Sequence, residues 1–415
     1  MDDSEHILHH TVSGGESTRA RQGDKGITWP ARHLARDIGP REPGSQGERS
    51  AAHFIERELN ALGLATETQR FHAPATTAWS EMLVHLLPVI GAIAFPANSH
   101  ISYGLICLGF FLFLLEYFGR SPFLWLQPRH RSENVIAKIK PHRDPRRTLV
   151  LIAHMDSPRS AFYHRPGLVR PARAAFLLDF VSMAALFMLF TVAYAGYLLS
   201  MEETTLTIFW QLGLILAIPP ALALIALLSK AAAGRATPGG NDNASGVAVL
   251  LELARVYTRR QPHNTDLWLV STAASDAGGA GVKRLARQYR RELKGAYYIL
   301  MDGVGRGFPV CYKREGRLIS FHSNRKLTGM ARRISDVHAH YSTGFKRNSM
   351  YISEGFQLLS RGRKAVTVSS REDSRYPRYW RWSKDDYDNI DPHSLRLCLD
   401  FLIAMVDNID RGDFK

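Results

Sequence analysis

Apolar residues along this chain occur in two kinds of run, short runs of four or five residues and much longer ones. The short runs cover residues 149–153, 267–270, 297–300 and 365–368. Continuous apolar runs of this length are typical of strands that are covered on both faces of a sheet. They predict a buried and mostly parallel sheet.

Between these runs the spacing of apolar residues changes to a helical period. The predicted helices cover residues 50–62, 247–256, 282–293 and 394–409. The first is closed by Gly63, and the second begins after an Asn and Ser start signal. Strands that alternate with helices predict an α/β domain, a mostly parallel mixed sheet flanked by helices.

The long apolar runs come in two pairs. The first pair covers residues 82–97 and 101–118, and the second covers 174–199 and 206–228. A helix needs about 20 apolar residues to cross a bilayer, so we predict two transmembrane hairpins, at 82–118 and 174–228. For the shorter first pair, a buried amphipathic hairpin or two interfacial helices is the alternative.

Basic residues flank these pairs on one side. They are Arg120, Arg129 and Arg131 after the first pair, Arg165, Arg170 and Arg173 before the second, and Lys230 and Arg235 after it. By the positive-inside rule we predict an integral protein of a bacterial cytoplasmic membrane, with four transmembrane helices and a cytoplasmic soluble domain. Polar residues within spans are functional candidates by default, here His85, Glu116 and Asp179.

The composition restricts the partners. The formal net charge is +15, but the basic residues are spread along the chain and are densest beside the apolar runs. That arrangement favours the lipid bilayer over nucleic acid. The three cysteines have no paired spacing, so they indicate neither a disulfide framework nor a thiolate zinc site. Their number is compatible with a reducing compartment. The polar start of the chain shows no export signal. Residues 1–30 are predicted to be disordered. Residues 31–415 are predicted to form one domain that the two hairpins interrupt.

Four acidic or imidazole side chains follow predicted strands or precede a predicted helix. His154 and Asp156 follow the strand 149–153, Asp302 follows the strand 297–300, and Asp242 lies in the glycine-bounded turn 238–246. One imidazole with two carboxylates is a ligand set that a catalytic zinc ion takes. The alternative is that each residue only terminates a strand or caps a turn.

Several of these segments resemble the di-zinc aminopeptidase family, which includes bacterial leucyl aminopeptidases, glutamate carboxypeptidase and glutaminyl cyclases. The matching pieces are IGPREPGS at 38–45, NVIA at 134–137, AHMDS at 153–157, GNDNASGV at 240–247, LMDGVG at 300–305 and DYDNID at 386–391. The resemblance implies a zinc-exopeptidase-like fold. It also implies hydrolysis of peptide or related amide bonds of aminopeptidase type, with metal-activated water.

The resemblance implies roles for four residues that this chain retains. His154 and Asp302 would bind the first zinc ion, Asp242 would bridge two zinc ions, and Asp156 would orient His154.

The chain departs from the family at two elements. The glutamate pair that supplies the general base and a ligand of the second zinc falls on Ser275 and Asp276. A serine cannot take a proton from the attacking water near neutral pH. Asp276 could still bind metal, although its side chain is one methylene shorter than that of glutamate, or it could take the role of the base. The last histidine ligand is absent near Glu354, which we predict as a substitute oxygen ligand. His338 and His340 are the alternatives, or they only face solvent. One zinc ion is therefore expected and a second is in doubt.

We therefore predict a membrane-bound zinc metallopeptidase, with a catalytically inactive pseudo-peptidase that binds a partner at the membrane as the alternative. An aromatic cluster at residues 376–382 is predicted to bind substrate side chains or to anchor the chain at the membrane interface.

Overall fold

A computed structural model describes residues 26–120, 122–372 and 377–413. In this part of the chain nine strands form one sheet. They are β1 (Thr66–Pro74), β2 (Arg129–Ile139), β3 (Arg147–His154), β4 (Thr265–Thr272), β5 (Tyr297–Met301), β6 (Phe308–Glu315), β7 (Phe321–His322), β8 (Gly344–Asn348) and β9 (Lys364–Arg371).

The centre of the sheet is parallel and its flanks are antiparallel. The strand order is β1-β2-β4-β3-β5-β9-β6-β7, and β8 pairs with β6. Strands β4, β3, β5 and β9 run parallel, whereas β2 pairs antiparallel with β4 and β6 pairs antiparallel with β9. The carboxyl ends of the four central strands therefore lie along one edge.

The described residues contain thirteen α-helices, several of them short. They are α1 (Trp29–Arg32), α2 (Gln46–Ala61), α3 (Ala78–Ala94), α4 (Ser99–Tyr117), α5 (Pro166–Val169), α6 (Ala172–Leu198), α7 (Glu203–Leu216), α8 (Ile218–Ala233), α9 (Ser245–Arg259), α10 (Ala280–Gln288), α11 (Arg325–Val337), α12 (Glu354–Leu359) and α13 (Pro392–Arg411). One face of the sheet packs against α1, α2, α9, α11 and α13, and the other packs against α10 and α12.

The predicted fold class is confirmed, and the four short apolar runs are the central strands β3, β4, β5 and β9. Strand β1 was not predicted because it lies at an edge, where most of its side chains are polar and at least half-exposed. The predicted helix 282–293 ends earlier, at Gln288, and Tyr289 is its C-terminal cap.

Three helical stretches in the described residues are long and apolar enough to cross a membrane, namely Ser99–Tyr117, Ala172–Leu198 and Glu203–Ala233. The last combines α7 and α8, which meet at Ala217. Helix α3 has 17 residues, so it is only about 26 Å long, less than the ~30 Å hydrocarbon core. The prediction of two hairpins with four spans is therefore corrected to three candidate spans and one shorter apolar helix.

These apolar helices pack together into one bundle, which we call the apolar bundle (α3, α4 and α6 to α8). Gly109 of α4 faces Pro88 of α3 so closely that an added Cβ would lie 2.5 Å from the Pro88 Cδ. Within the second pair, Gly213 of α7 accommodates the ring of Phe190 of α6 in the same way. Across the two pairs, the Trp210 Nε1 donates to the Ala92 carbonyl at 3.1 Å. Small residues at these crossings let the helix backbones approach each other.

The polar residues of the apolar bundle bind one another. The His85 Nε2 lies 3.1 Å from an Asp179 carboxylate oxygen, and the Ser80 hydroxyl donates to Glu116 at 3.2 Å. The side chains of His85 and Asp179 are each about nine-tenths buried. Pairing inside a bundle lowers the cost of placing such groups among apolar helices.

Residues 1–30 were predicted to be disordered, and residues 1–25 of that segment lie outside the described residues. Among the described residues, Trp29 begins α1, and its ring packs against His33 and Phe54 at centroid distances of 5.6 and 5.3 Å. Phe54 belongs to α2, so this contact could not be read from the local composition.

Candidate metal centre

Two central strands deliver their last residues to the same point on the sheet edge. His154 ends β3 and is in register with Thr272, the last residue of β4. Asp302 follows Met301, the last residue of the neighbouring parallel strand β5. Because parallel strands end at one edge, the side chains of His154 and Asp302 meet there although they are far apart in sequence.

Asp242 reaches the same edge from the turn before α9. Gly239 adopts a left-handed backbone with φ of +60°, and a Cβ at Gly240 would lie 2.2 Å from the Asp386 carbonyl oxygen. The Asp385 carboxylate accepts hydrogen bonds from the N–H groups of Asn241 and Asp242, at 2.7 and 3.0 Å. This turn requires glycine for conformation and close approach, and Asp385 satisfies its backbone donors.

The three predicted ligands converge. The His154 Nε2 lies 3.2 Å from Asp242 Oδ1 and 4.0 Å from Asp302 Oδ1. One ligand atom from each of the three buried residues lies within 4.8 Å of the others. Zinc binds imidazole nitrogen and carboxylate oxygen at about 2.0–2.2 Å, so donor atoms with these separations fit around one ion.

Asp156 lies beside the imidazole of His154. The His154 Nδ1 lies 3.0 Å from the Asp156 backbone oxygen and 3.5 Å from its carboxylate Oδ1. The other Asp156 oxygen accepts a hydrogen bond from the Asp276 N–H at 3.0 Å. A histidine whose Nδ1 is held in this way presents Nε2 to a metal, as histidine ligands usually do.

The charges in the cluster favour a cation. Burial and the neighbouring Asp242 carboxylate raise the pKa of Asp302, although the Tyr351 hydroxyl donates to its Oδ2 at 2.8 Å. Two buried carboxylates side by side are destabilised unless a positive charge lies between them. A divalent ion would supply that charge, so the donor set and its electrostatics both fit one metal ion.

All the predicted site residues line one pocket. Besides the three converging residues and Asp156, the predicted residues Ser275, Asp276 and Glu354 contribute to its wall, as do Pro158, Tyr351, Ile352, Ser353 and Arg381. His338 and His340 do not take part, because they are exposed near the end of α11 and their rings contact each other and Tyr341 instead.

Asp276 is engaged by two cations. The Arg381 Nη1 lies 2.7 Å from Asp276 Oδ1, and the Lys230 Nζ lies 4.0 Å from Oδ2. Burial alone would raise the pKa of Asp276, but these two charges outweigh burial and hold it at about 2. A carboxylate in this state is a poor proton acceptor, and a metal ion would compete with these two cations for its oxygens. The residues at this position do not fit a second zinc ion.

Glu354 is placed differently. It begins α12, and its Oε2 accepts a hydrogen bond from the Thr272 hydroxyl at 2.8 Å. Its other oxygen is buried and has no hydrogen-bond partner. Burial raises the pKa of Glu354 to about 7, in the range that suits a group which exchanges protons at neutral pH.

Sequence reasoning missed four residues around this site, namely Lys230, Tyr351, Arg381 and Asp385. Lys230 was interpreted only as a membrane-flanking charge, and Arg381 only as part of the aromatic cluster 376–382, of which Tyr376 lies outside the described residues. Asp385 directly precedes the quoted DYDNID motif, which is the one local signal that could have found it.

The comparisons with known proteins agree with this geometry. Residues 228–406 match the family model described as Peptidase family M28, a range that includes Asp242 and Asp302 but not His154. The predicted resemblance is confirmed in this respect, and the match supports a peptidase-like hydrolase. No curated protein matches the chain.

Solved structures share the fold at low sequence identity. A zinc aminopeptidase from Bacillus subtilis is 14% identical, with a TM-score of 0.55 over 93% of this chain and 94% of that one. An aminopeptidase from Aneurinibacillus sp. strain AM-1 is 16% identical, with a TM-score of 0.53 over 92% of each chain. Glutaminyl cyclase from Bacteroides thetaiotaomicron is 15% identical, with a TM-score of 0.53 over 92% of this chain and 97% of that one.

Proposed function

We propose that this chain, which matches Peptidase family M28 over residues 228–406, is a zinc-dependent hydrolase that cleaves peptide or related amide bonds. The observation that carries the proposal is the convergence of His154, Asp242 and Asp302, whose ligand atoms lie within 4.8 Å of one another. These three residues would hold one zinc ion, and Asp156 would keep the imidazole oriented. When bound, the ion would acidify water and polarise the amide carbonyl.

The protein's own residues would handle the protons. Ser275 occupies the position of the missing glutamate base, and Asp276 is neutralised by its two cations. Glu354 lines the same pocket with one oxygen unpaired, so we assign it the role of proton acceptor in place of that glutamate. Thr272 keeps it in position through the hydrogen bond to its other oxygen.

We also propose that the apolar bundle anchors the hydrolase in a lipid bilayer. Large apolar side chains on its helices point outward, among them Leu178, Val181 and Ile225, each about three-fifths exposed. A contiguous apolar surface of this kind is costly in water and stable in lipid. The placement of the α/β domain on the cytoplasmic side follows from the flanking basic residues and stays a prediction.

The test of the catalytic proposal uses the full chain purified in detergent. We expect about one zinc ion per chain by elemental analysis, and hydrolysis of aminoacyl anilides or members of a peptide library. His154→Ala should lose both the ion and the activity, because it removes the nitrogen ligand. The matched control His340→Ala, at an exposed histidine, should keep both.

The outcome also decides between the two functions considered. A wild-type chain without bound metal and without turnover would contradict the proposal. An inactive pseudo-peptidase that binds a membrane partner finds no support in the family match. Bound zinc at His154 with no hydrolysis of any peptide or amide would favour the inactive pseudo-peptidase.

A further inference from the structure

Asp276 lies between two cations that come from distant parts of the fold. Arg381 belongs to the loop before α13, and Lys230 belongs to α8 of the apolar bundle. The Arg381 Nη1 is 2.7 Å from one Asp276 oxygen and the Lys230 Nζ is 4.0 Å from the other. The side chains of Lys230 and Asp276 are about nine-tenths buried, and that of Arg381 is about four-fifths buried.

The loop that carries Arg381 is fixed. Tyr379 and Arg381 both adopt a left-handed backbone, with φ of 56° and 55°, which side chains other than glycine rarely adopt. Between them, the Trp380 ring stacks on Tyr351 at 5.0 Å and contacts His164 edge-on at 5.5 Å. A backbone in this conformation persists when surrounding contacts hold it, so Arg381 is positioned rather than free.

Two unit charges meet where a second metal ion would need a ligand. Arg381 and Lys230 together carry the charge of one divalent cation. Arg381 binds one oxygen of Asp276 and Lys230 lies 4.0 Å from the other, and Asp276 is the only carboxylate in the segment between β4 and α10. Like charges at short range repel each other, and they do so more strongly in a buried site than in water. A further divalent ion beside these side chains would be repelled, and it would compete with both cations for Asp276.

Arg381 also has donor capacity left. Its Nε is buried and has no hydrogen-bond partner, although the residue lines the same pocket as His154 and Asp242. A buried guanidinium donor without a partner is costly unless a ligand oxygen satisfies it. The acyl oxygen of an amide substrate is an acceptor of the required chemistry.

We propose that Arg381 and Lys230 replace the second metal ion, so that the centre holds one divalent cation and Arg381 receives the acyl oxygen of the substrate. This inference rests on the proposed function at His154. It assigns part of the active site to the apolar bundle, since Lys230 lies near the end of α8. Removing the two cations should free Asp276 to bind a metal ion.

The experiment counts metal ions on the full-length chain in detergent. Apo protein is titrated with zinc by calorimetry, and the bound metal is measured after gel filtration. We expect one equivalent on the wild type, and a second, weaker equivalent on the double variant Arg381→Met with Lys230→Met. The matched double control, Arg378→Met with Lys384→Met at exposed positions of the same loop, should bind one equivalent.

Each outcome has a separate meaning. Two equivalents on the wild type would overturn the inference but not the proposed function, and so would a folded double variant that still binds only one. No equivalent on the wild type would instead contradict the proposed function. If the double variant does not fold, the wild-type count and the single variant Lys230→Gln, also expected to admit a second ion, decide the inference.

The substrate contact has its own readout. Arg381→Lys keeps a positive charge, so it should retain one equivalent of metal and lose at most about tenfold in kcat/KM. Arg381→Gln should lose at least about a hundredfold in kcat/KM, because a charged donor to the developing negative charge is removed. Equal activity of both variants and the wild type would overturn the assignment of the acyl oxygen to Arg381.

Discussion

The carboxylate of Asp385 accepts a hydrogen bond from the backbone N–H of Asp242 at 3.0 Å. Asp385 is buried beneath the turn and also accepts the N–H of Asn241, so it fixes the backbone from which Asp242 projects. Burial and the nearby Asp242 charge raise the pKa of Asp385 to about 7. The relationship makes Asp385 a positioning residue for the proposed metal ligand.

Asp385→Ala is expected to weaken zinc binding by about 10- to 100-fold, the usual effect of removing a group that orients a ligand. Competition with a chelating dye measures the affinity. Asp388→Ala is the matched control, because that carboxylate is exposed and only pairs with Arg36 at the surface. Equal zinc affinity in Asp385→Ala and the wild type would show that the turn holds Asp242 without this carboxylate.

Tyr351→Phe removes the hydroxyl that donates to Asp302 Oδ2. That hydrogen bond lowers the pKa of Asp302, which burial and Asp242 raise, so the variant should have a still higher pKa. Because a carboxylate must lose its proton to bind metal, zinc affinity should begin to fall at a higher pH in the variant than in the wild type when the pH is lowered. Tyr257→Phe, at a tyrosine hydrogen-bonded to Asp407, should follow the wild-type pH dependence.

Glu354→Gln should reduce turnover by about 10²- to 10⁴-fold, because the variant loses a proton acceptor. One zinc ion should stay bound, because the variant keeps all three proposed metal ligands. In the wild type the pKa of Glu354 is raised to about 7, so activity should decrease as the pH falls through that value and Glu354 takes up a proton. The variant should lack this decrease. Glu372→Gln, at an exposed carboxylate, is the control, and loss of zinc from Glu354→Gln would make Glu354 a ligand instead.

Arg41→Met should destabilise the fold by about 3 kcal/mol or more, since several buried carbonyl groups would lose their donor. The buried guanidinium donates to the backbone oxygens of Leu34, Gly39, Met155, Pro238 and Gly239. Thermal unfolding in detergent measures the effect. Arg57→Met, at an exposed position of α2, should stay within about 0.5 kcal/mol of the wild type.

Gly109→Ala should destabilise the apolar bundle by about 1–3 kcal/mol, because its Cβ would collide with Pro88 of α3. Gly104→Ala in the same helix is the matched control, since a Cβ there meets nothing within 4 Å. It should be neutral or slightly stabilising, as alanine favours the helix more than glycine does. Equal melting temperatures of the two variants would contradict the packing of α3 against α4.

The sequence predicted the central strands because their signal is local. Residues 149–153 and 297–300 are continuous apolar runs, and a polar residue that ends such a run must lie at the strand's carboxyl end. His154 and Asp302 could therefore be assigned to one edge of the sheet from the order of residues alone. Strand β1 could not be found in this way, since half-exposed edge strands carry mostly polar side chains.

The apolar helices were also predicted from a local signal, but the number of candidate membrane spans was not predicted correctly. Length and hydropathy decide whether a helix can cross a membrane, and α3 ends at Ala94 rather than continuing to residue 97. Phe95 still has helical backbone angles, but the following Pro96 lacks the backbone N–H that would continue the helix. A count of apolar residues ignores that stop signal.

The amino-acid sequence by itself determined the α/β domain, the apolar helices and the three residues proposed to bind metal, because periodicity and strand ends are properties of neighbouring residues. Only the tertiary structure decided what surrounds them. Lys230 comes from an apolar helix and Arg381 from a late loop, and they meet Asp276 through packing between elements that are distant in the chain. A contact of that kind leaves no periodic signal, since it depends on where whole elements lie in space.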